Sequence, residues 1–310
     1  MQKKDRQDWR VIFFLYFCSI ISTSMRHHCI SLPPGLLTAI LSLCLSMTWA
    51  GCHTRQQPSA EDSLAVRHSS GTTTATLPAA PFATDSARMK LTSPFGTAEV
   101  YIDYPTGNDA ASREAKSFIH NQLFGRKPFR ASSHPDSLAK QYCEMILTGF
   151  EQSLEQLRIG EVSQDEAPEE GTELRLIYVS DQYITYESWH YSYFTGGGHG
   201  TYGTQGITIR RSDGKRMTRP VNDDDDVLRR QMIRGLMAYF GVSDTASLAH
   251  YLTVPLELLP MPAHPPYLTA DGLRFQYELY DICRLDDGAP AFTIPLDSLS
   301  DGGQYFLTGR

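Results

Sequence analysis

The sequence predicts an α+β domain with a mainly antiparallel sheet and helices packed on one face. Short segments of alternating apolar and polar residues, typical of strands, are separated by long segments whose apolar residues recur every three or four positions, typical of helices. Several neighbouring strands are joined by hairpin-like turns such as Ser212-Asp213-Gly214-Lys215. With 310 residues, 41% hydrophobic and 20% charged, the composition is that of an ordinary globular protein.

The N-terminal region has the layout of an export signal. Its first apolar segment, Val11–Ile21, is about half the ~20 residues that a membrane-spanning helix needs. From Met25 onward the chain has a short basic start and an apolar core, and then Ala50-Gly51-Cys52, which is typical of a bacterial lipid-attachment site. We expect residues 1–51 to be a signal region, with Met25 as the true start and Cys52 as the lipidated residue. The alternative is an uncleaved signal anchor with a buried Cys52.

Charge limits the partners of the processed chain. Cleavage before Cys52 leaves 310 − 51 = 259 residues and removes five of 28 basic and two of 35 acidic side chains, so the net charge becomes 23 − 33 = −10. An acidic exported protein is a poor candidate for binding nucleic acid or an anionic bilayer. We expect membrane contact through the lipid anchor alone, in the outer or inner membrane of the cell envelope, with the folded domain outside the cytoplasm.

Two cysteines remain in the processed chain beyond Cys52. Cys143 and Cys283 could form a disulfide in an oxidising compartment. The alternative is two isolated buried thiols, because cysteine is often buried without a partner.

The N-terminal part of the processed chain divides into a tether and a folded half. Residues 52–90 are rich in Ser, Thr, Ala and Pro and predict a flexible tether, with the folded part beginning near Leu91. Within the half 91–180, the pattern predicts a strand over Thr97–Tyr104 and helices over Ala110–Phe124 and Asp136–Ile159, with an acidic loop after the second helix.

The half 181–310 contains the predicted central strand, Tyr183–Phe194. Alternation places large rings on both faces, so we expect helices to cover one face and a binding surface or another layer to cover the other. One face carries Tyr183, Trp189, Tyr191 and Tyr193, and the other carries Ile184, Tyr186, His190 and Phe194. Further segments predict a strand over Gly203–Arg210, a helix after Asp226, and strands over Gly272–Ile282 and Ala291–Ile294.

The candidate binding site is the stretch YSYFTGGGHGTYG, residues 191–203. Consecutive glycines mark a tight reversal or a place where another group approaches the main chain closely. His199 within it is either a functional group or a structural histidine bonded to backbone at the turn. The predicted ligand-binding residues are Trp189, Tyr191, Tyr193, Gly196, Gly197, Gly198 and His199. No catalytic, metal-binding or cofactor motif is recognisable, so the sequence predicts no catalytic residue, no metal and no cofactor.

The same residues carry a family resemblance. YFTGGGHG at 193–200, followed by a strand, a D-G-K hairpin and an acidic helix start, resembles the signature of a domain of unknown function. That domain forms the C-terminal part of RsiV-type anti-sigma factors and of PdaC-type deacetylases, where it lies outside the catalytic domain. GLRFQYELYDI and AFTIPLDSL resemble its closing segment, although Gly198 stands where the family usually has alanine. The resemblance covers about residues 95–308 and implies an envelope lipoprotein with a PdaC-like half followed by a glycine-histidine half.

Three functions are compatible with this pattern. The first is binding of a protein or a cell-wall glycan through the aromatic and glycine-rich surface. The second is hydrolysis of cell-wall material, with His199 as acid or base and a carboxylate such as Glu187 nearby. The third, implied by the resemblance alone, is a sensor or inhibitor that binds lysozyme.

Overall fold

A computed structural model describes residues 82–125, 134–157, 159, 166–218, 226–300, 302–303 and 306–307. These residues all belong to one compact unit, Pro78–Arg310. The predicted signal region, Met25, Cys52 and the tether up to Pro81 lie outside the described residues.

The larger sheet has six strands that lie side by side in chain order. Neighbouring strands run antiparallel, with the exception of β2 and β3, which run parallel. The strands are β1 (Thr84–Ser93), β2 (Gly96–Pro105), β3 (Glu169–Val179), β4 (Tyr183–Tyr193), β5 (Thr201–Arg210) and β6 (Arg216–Met217).

Two helices between β2 and β3 cover one face of this sheet, which we call the helix face. They are α1 (Ala110–Phe124) and α2 (Pro135–Gln156). The Asp109 side chain accepts a hydrogen bond from the backbone N–H of Ser112 and so caps α1. The apolar stripes of both helices pack against inward side chains of β2, β3 and β4, which include Val100, Ile102, Leu174, Ile184 and Tyr186.

A smaller sheet packs on the opposite face. Its strands are β7 (Tyr267–Thr269), β8 (Gly272–Gln276) and β9 (Ala291–Ile294), and α3 (Asp226–Phe240) and the short α4 (Thr245–Ala249) complete this part of the chain. A separate apolar core joins α3, β8 and β9, and it includes Tyr183 of the larger sheet. The smaller sheet therefore covers only the part of the larger sheet nearest Tyr183, and we call the remainder of that side the open face.

The α+β prediction is confirmed, and the alternation predicted for β4 is observed. Ile184 and Tyr186 lie in the core under the helices, whereas Tyr183 packs against the smaller sheet. Several boundaries differ from the prediction, most of all those of β1, β3 and β8. β1 begins at Thr84, inside the predicted tether, and β3 begins at Glu169, inside the predicted acidic loop. β8 ends at Gln276, not at Ile282, and the segment after it contains a turn in which Tyr280 adopts a positive φ of 68°.

Among the described residues, no helix combines the length and the apolar character that a membrane span requires.

Two glycines in β5 test how the two sheets pack. A Cβ at Gly206 would lie 2.4 Å from the Tyr267 ring, whereas a Cβ at Gly203 would have no heavy atom within 4 Å. We expect Gly206→Ala to lower the free energy of unfolding by about 1–3 kcal/mol, since the ring must move out of a packed position. The matched variant Gly203→Ala should change it by less than about 0.5 kcal/mol. Denaturant unfolding of both variants measures this, and equal effects would show that Tyr267 does not pack as described.

Candidate ligand-binding surface

The open face contains an aromatic pair from β4. Trp189 and Tyr191 lie two residues apart, so their side chains project from the same face of the strand. Their ring planes are inclined by only 7° and their centroids are 6.3 Å apart. Trp189 is 37% exposed, which is unusual for so large an apolar side chain. The exposed Trp189 ring and the half-buried Tyr191 ring are thus parallel on the open face, and we call this pair the aromatic platform.

Glycines on both sides set the position of these rings. A Cβ at Gly200 would lie 2.5 Å from the Tyr191 ring, so only glycine lets the ring lie against the backbone there. Gly171 on β3 faces Tyr191 in the strand register, and a Cβ there would touch the Trp189 ring at 3.5 Å. Burial, followed by the nearby Glu169 carboxylate, raises the pKa of Tyr191 above its ordinary value. The phenol therefore stays neutral at physiological pH.

Charged side chains from β1, β2 and β3 border the platform. Arg88 donates two hydrogen bonds to Glu99, at 2.9 and 2.5 Å, and the ammonium of Lys90 lies 3.7 Å from the same carboxylate. Arg175 pairs with Glu173 at 2.7 Å and lies over the Tyr101 ring, 4.2 Å from its centroid. These are exposed pairs, so each contributes little to stability and their donors and acceptors remain available to a ligand.

A shallow pocket of about 260 Å³ lies between this charged border and the platform. It is slightly smaller than the ~300–1,000 Å³ of sites that enclose a whole small molecule. Its size suits one ring or side chain of a longer ligand. The residues that line it are Arg88, Lys90, Thr97, Glu99, Tyr101, Glu169, Glu170, Gly171, Thr172, Glu173, Trp189 and Tyr191.

The glycine run forms the turn between β4 and β5. Gly197 donates a backbone hydrogen bond to Phe194 at 2.9 Å, and Gly196 has a positive φ of 80°, which glycine adopts without strain. The Thr195 hydroxyl donates to the carbonyl of Glu166 at 2.9 Å and so ties this turn to the segment before β3. Gly198 is exposed and nothing within 4 Å would meet a Cβ there.

His199 is exposed and bonds to backbone at the turn. Its Nδ1 lies 3.0 Å from the carbonyl oxygen of Gly200. A carbonyl can only accept, so Nδ1 carries the proton and donates. This contact agrees with the structural interpretation of His199, although the ring is at the surface and not buried.

The structure separates His199 from Glu187. Glu187 accepts a hydrogen bond from the Tyr267 hydroxyl at 2.6 Å and lies 3.9 Å from Arg274. Glu187 lies five positions before Ser192, the last paired residue of β4, which is roughly 16 Å along the strand from the turn that contains His199. The predicted site residues thus divide into two groups. The first group lies on β4, where Trp189 and Tyr191 stack on the open face and Tyr193, half-buried and outside the pocket lining, ends the strand. The second group is the three glycines and His199, which form the turn that follows.

Sequence reasoning missed the charged half of the pocket. Arg88 and Lys90 were assigned to the tether, yet they alternate with Ala87, Met89 and Leu91, which is a strand pattern. Glu99 and Tyr101 lie some 90 residues before Trp189, and only the parallel pairing of β2 with β3 brings them to it. The alternation could have revealed β1, but no local signal reveals the parallel pairing.

Of the two alternatives for the cysteines, the structure contains the isolated thiols and not the possible disulfide. Cys143 and Cys283 are both buried free thiols. Cys143 lies on α2 in the core of the helix face. Cys283 lies in the part of the chain that includes the smaller sheet, where its backbone pairs with that of Leu252 in an isolated antiparallel β-bridge. The two cysteines are packed in different parts of the fold and have different partners.

Among the described residues, no three His, Cys, Asp or Glu side chains come together in a way that could hold a metal ion.

Comparisons with known proteins establish the fold alone. Neither a family model nor a curated protein matches this sequence. A solved structure of a DUF3298 family member from Bacteroides fragilis matches with a TM-score of 0.57 and 18% identity, covering 74% of this chain and 98% of that one. A DUF3298 family protein from Pseudomonas aeruginosa matches with a TM-score of 0.48 and 18% identity, covering 72% of this chain and 94% of that one. The first of these matches shows that the chain is similar in fold to a member of a family of unknown function, and the finer RsiV and PdaC resemblance stays a prediction.

The two thiols provide a test of this arrangement. Burial raises the pKa of both Cys143 and Cys283 to about 11, above the ordinary value of 9.0. Below pH 11 both remain protonated, and the thiolate is the reactive form. We expect iodoacetamide at pH 8 to label neither residue in the folded protein and to label both in denaturant, as measured by peptide mass spectrometry. A cross-linked peptide that joins the two cysteines under non-reducing conditions would contradict the structure.

Proposed function

We propose that this protein is a lipid-anchored protein of the cell envelope that binds a cell-wall glycan on the open face of its larger sheet. The single observation that carries the proposal is the pair of parallel rings, exposed Trp189 and half-buried Tyr191, beside a pocket bordered by paired charges. No catalytic step is part of the proposal.

The chemistry of a pyranose matches this surface. A sugar ring has one flat face of C–H groups, which gains dispersion and hydrophobic contact on an aromatic plane, and a rim of hydroxyls that need hydrogen-bond partners. Carboxylates of Glu99 and Glu173 accept from hydroxyls, whereas Arg88, Lys90 and Arg175 donate. A pocket that fits one ring within an open surface suits a unit of a longer chain.

Binding is favoured over hydrolysis by the positions of the candidate acid and base. His199 is in the turn, and the carboxylate of Glu187 is already bonded to Tyr267 and lies near Arg274. A general acid and a general base must both lie within hydrogen-bonding reach of the substrate. Because His199 and Glu187 are separated along the hairpin, they do not form such an arrangement.

Glycan binding is tested with chitotetraose as the soluble probe and isothermal titration calorimetry as the measurement. We expect Trp189→Ala to weaken binding at least tenfold, about 1.4 kcal/mol, because the flat contact is lost. Tyr280→Ala is the matched control, since Tyr280 is an aromatic residue, 59% exposed, and lies outside the pocket lining. It should leave the affinity unchanged.

Two outcomes would overturn the glycan assignment. One is the absence of binding to both chitotetraose and insoluble peptidoglycan by the wild-type protein. The other is retention of lysozyme on the immobilised protein, lost in Trp189→Ala, with no binding of either glycan; this would make the surface a protein-binding site.

The anchor is tested separately at Cys52. Lipid attachment needs the thiol, so we expect Cys52→Ser to leave the precursor unprocessed or to release the protein from the membrane fraction. Cys29→Ser, within the same predicted signal region, should change neither processing nor fractionation. Unchanged membrane partition of Cys52→Ser, assessed by immunoblotting after fractionation, would contradict lipid anchoring.

A further inference from the structure

Four polar side chains form a continuous chain of hydrogen bonds on the helix face, and two of these residues, Glu170 and Thr172, also border the proposed glycan pocket. The Tyr142 hydroxyl lies 2.6 Å from a carboxylate oxygen of Glu170 and 2.8 Å from the hydroxyl of Thr172. The Thr172 hydroxyl in turn lies 3.2 Å from Nδ1 of His190. Tyr142 and Thr172 are buried, whereas His190 is exposed. We call these four residues the relay.

The fold places the relay at a junction of three elements. Thr172 on β3 and His190 on β4 are directly opposed in the antiparallel register, and Glu170 is two residues from Thr172 on the same face. Tyr142 comes from α2 and reaches the sheet between Glu170 and Thr172. A Cβ at Gly203, which faces His190 from β5, would meet nothing within 4 Å, so there is space beside the imidazole.

The carboxylate determines the direction of every bond in the relay. An ionised carboxylate can only accept, so the single proton of Tyr142 points to Glu170. Burial, and then the proximity of Glu170, raises the pKa of Tyr142 well above its ordinary value, so the phenol keeps that proton. The Tyr142 oxygen must then accept the proton of Thr172. Since Thr172 has no second proton, its oxygen can only accept from His190, and Nδ1 must carry a hydrogen.

We propose that His190 is the exposed end of a one-way hydrogen-bond relay that fixes its tautomer and presents Nε2 at the surface as a hydrogen-bond acceptor. In the neutral ring, a proton fixed on Nδ1 leaves the lone pair on Nε2. The neutral ring therefore suits O–H or N–H donor groups at Nε2 and does not suit acceptor-only groups such as carboxylates. Glu170, Tyr142 and Thr172 are positioning residues that act through His190.

The tautomer is measured by long-range ¹H–¹⁵N correlation NMR on the full-length protein, at a pH where His190 is neutral. We expect Nδ1 of His190 to show the chemical shift of a protonated nitrogen and Nε2 that of an unprotonated one. In Thr172→Val the partner of Nδ1 is lost, so the pattern should shift toward protonated Nε2. Thr172→Ser keeps the hydroxyl and should restore the wild-type pattern.

His199 provides an internal reference in the same spectra. Its Nδ1 proton is held by the carbonyl of Gly200, independently of the relay, so its pattern should be the same in all variants. Tyr142→Phe interrupts the relay one hydrogen bond further from the His190 ring, so the preference of His190 for the Nδ1-protonated tautomer should also decrease. The fold should be retained, because the two side chains differ by one hydroxyl. A change at His199 would reveal general unfolding.

The exposed lone pair is probed with diethylpyrocarbonate, which acylates unprotonated imidazole nitrogen. We expect the wild-type protein to be modified at Nε2 of His190, and Thr172→Val to react more slowly at that atom, as followed by peptide mass spectrometry. Protonated Nε2 in the wild-type protein, or an unchanged His190 in folded Thr172→Val, would overturn the proposal. None of these results depends on whether the open face binds a glycan.

Discussion

The parallel pairing of β2 with β3 is the constraint on which the rest of the structure depends. Antiparallel neighbours can be joined by a short turn, but parallel neighbours need a crossover that carries the chain back to the same end of the sheet. Here α1 and α2 are that crossover. Because both helices lie in one connection, they cover the same face, and their apolar stripes form a continuous core with β2, β3 and β4. The helices therefore leave the opposite side of the sheet to other elements.

The smaller sheet covers part of that opposite side. It is fixed there by polar contacts that need close approach: Tyr267 lies over Gly206 and donates to Glu187, and the backbone N–H of Leu268 donates to the Thr208 hydroxyl at 2.7 Å. Because buried polar groups need hydrogen-bond partners, these bonds fix the position of the smaller sheet on the larger one. The Trp189 and Tyr191 end of β4 lies outside these contacts, where Trp189 is exposed to solvent and Tyr191 is half-buried.

Local patterns predicted much of the fold. The helix Ala110–Phe124 has the bounds that its periodicity and Gly125 indicate, and the two-sided character of β4 follows from large side chains on both faces. These features depend on residues within a few positions of one another. The order of strands in the sheet depends on pairing between distant segments, which periodicity does not encode. For this reason the aromatic half of the site was predicted, whereas its charged half, contributed by Arg88, Lys90 and Glu99, was not.

The glycine run also shows what a local sequence pattern can and cannot predict. Its sequence indicates a reversal or a close approach, and the structure contains both, at different residues. Gly196 and Gly197 make the turn, whereas Gly200 allows the Tyr191 ring to lie on the backbone. The residue that matters most for the platform thus follows the histidine and was not among the predicted site residues.

Alternation along β3 and β4 supplies the two proposed sites from the same short segments. Gly171 and Trp189 face the platform side, and their immediate neighbours Thr172 and His190 face the relay side. Since a strand has a side-chain period of two, a shift of the β3–β4 register by one residue would exchange these faces and destroy both sites together. The antiparallel pairing of Thr172 with His190 is therefore a requirement shared by the platform and the relay. A substitution that perturbs the pairing should therefore affect the platform and the relay together.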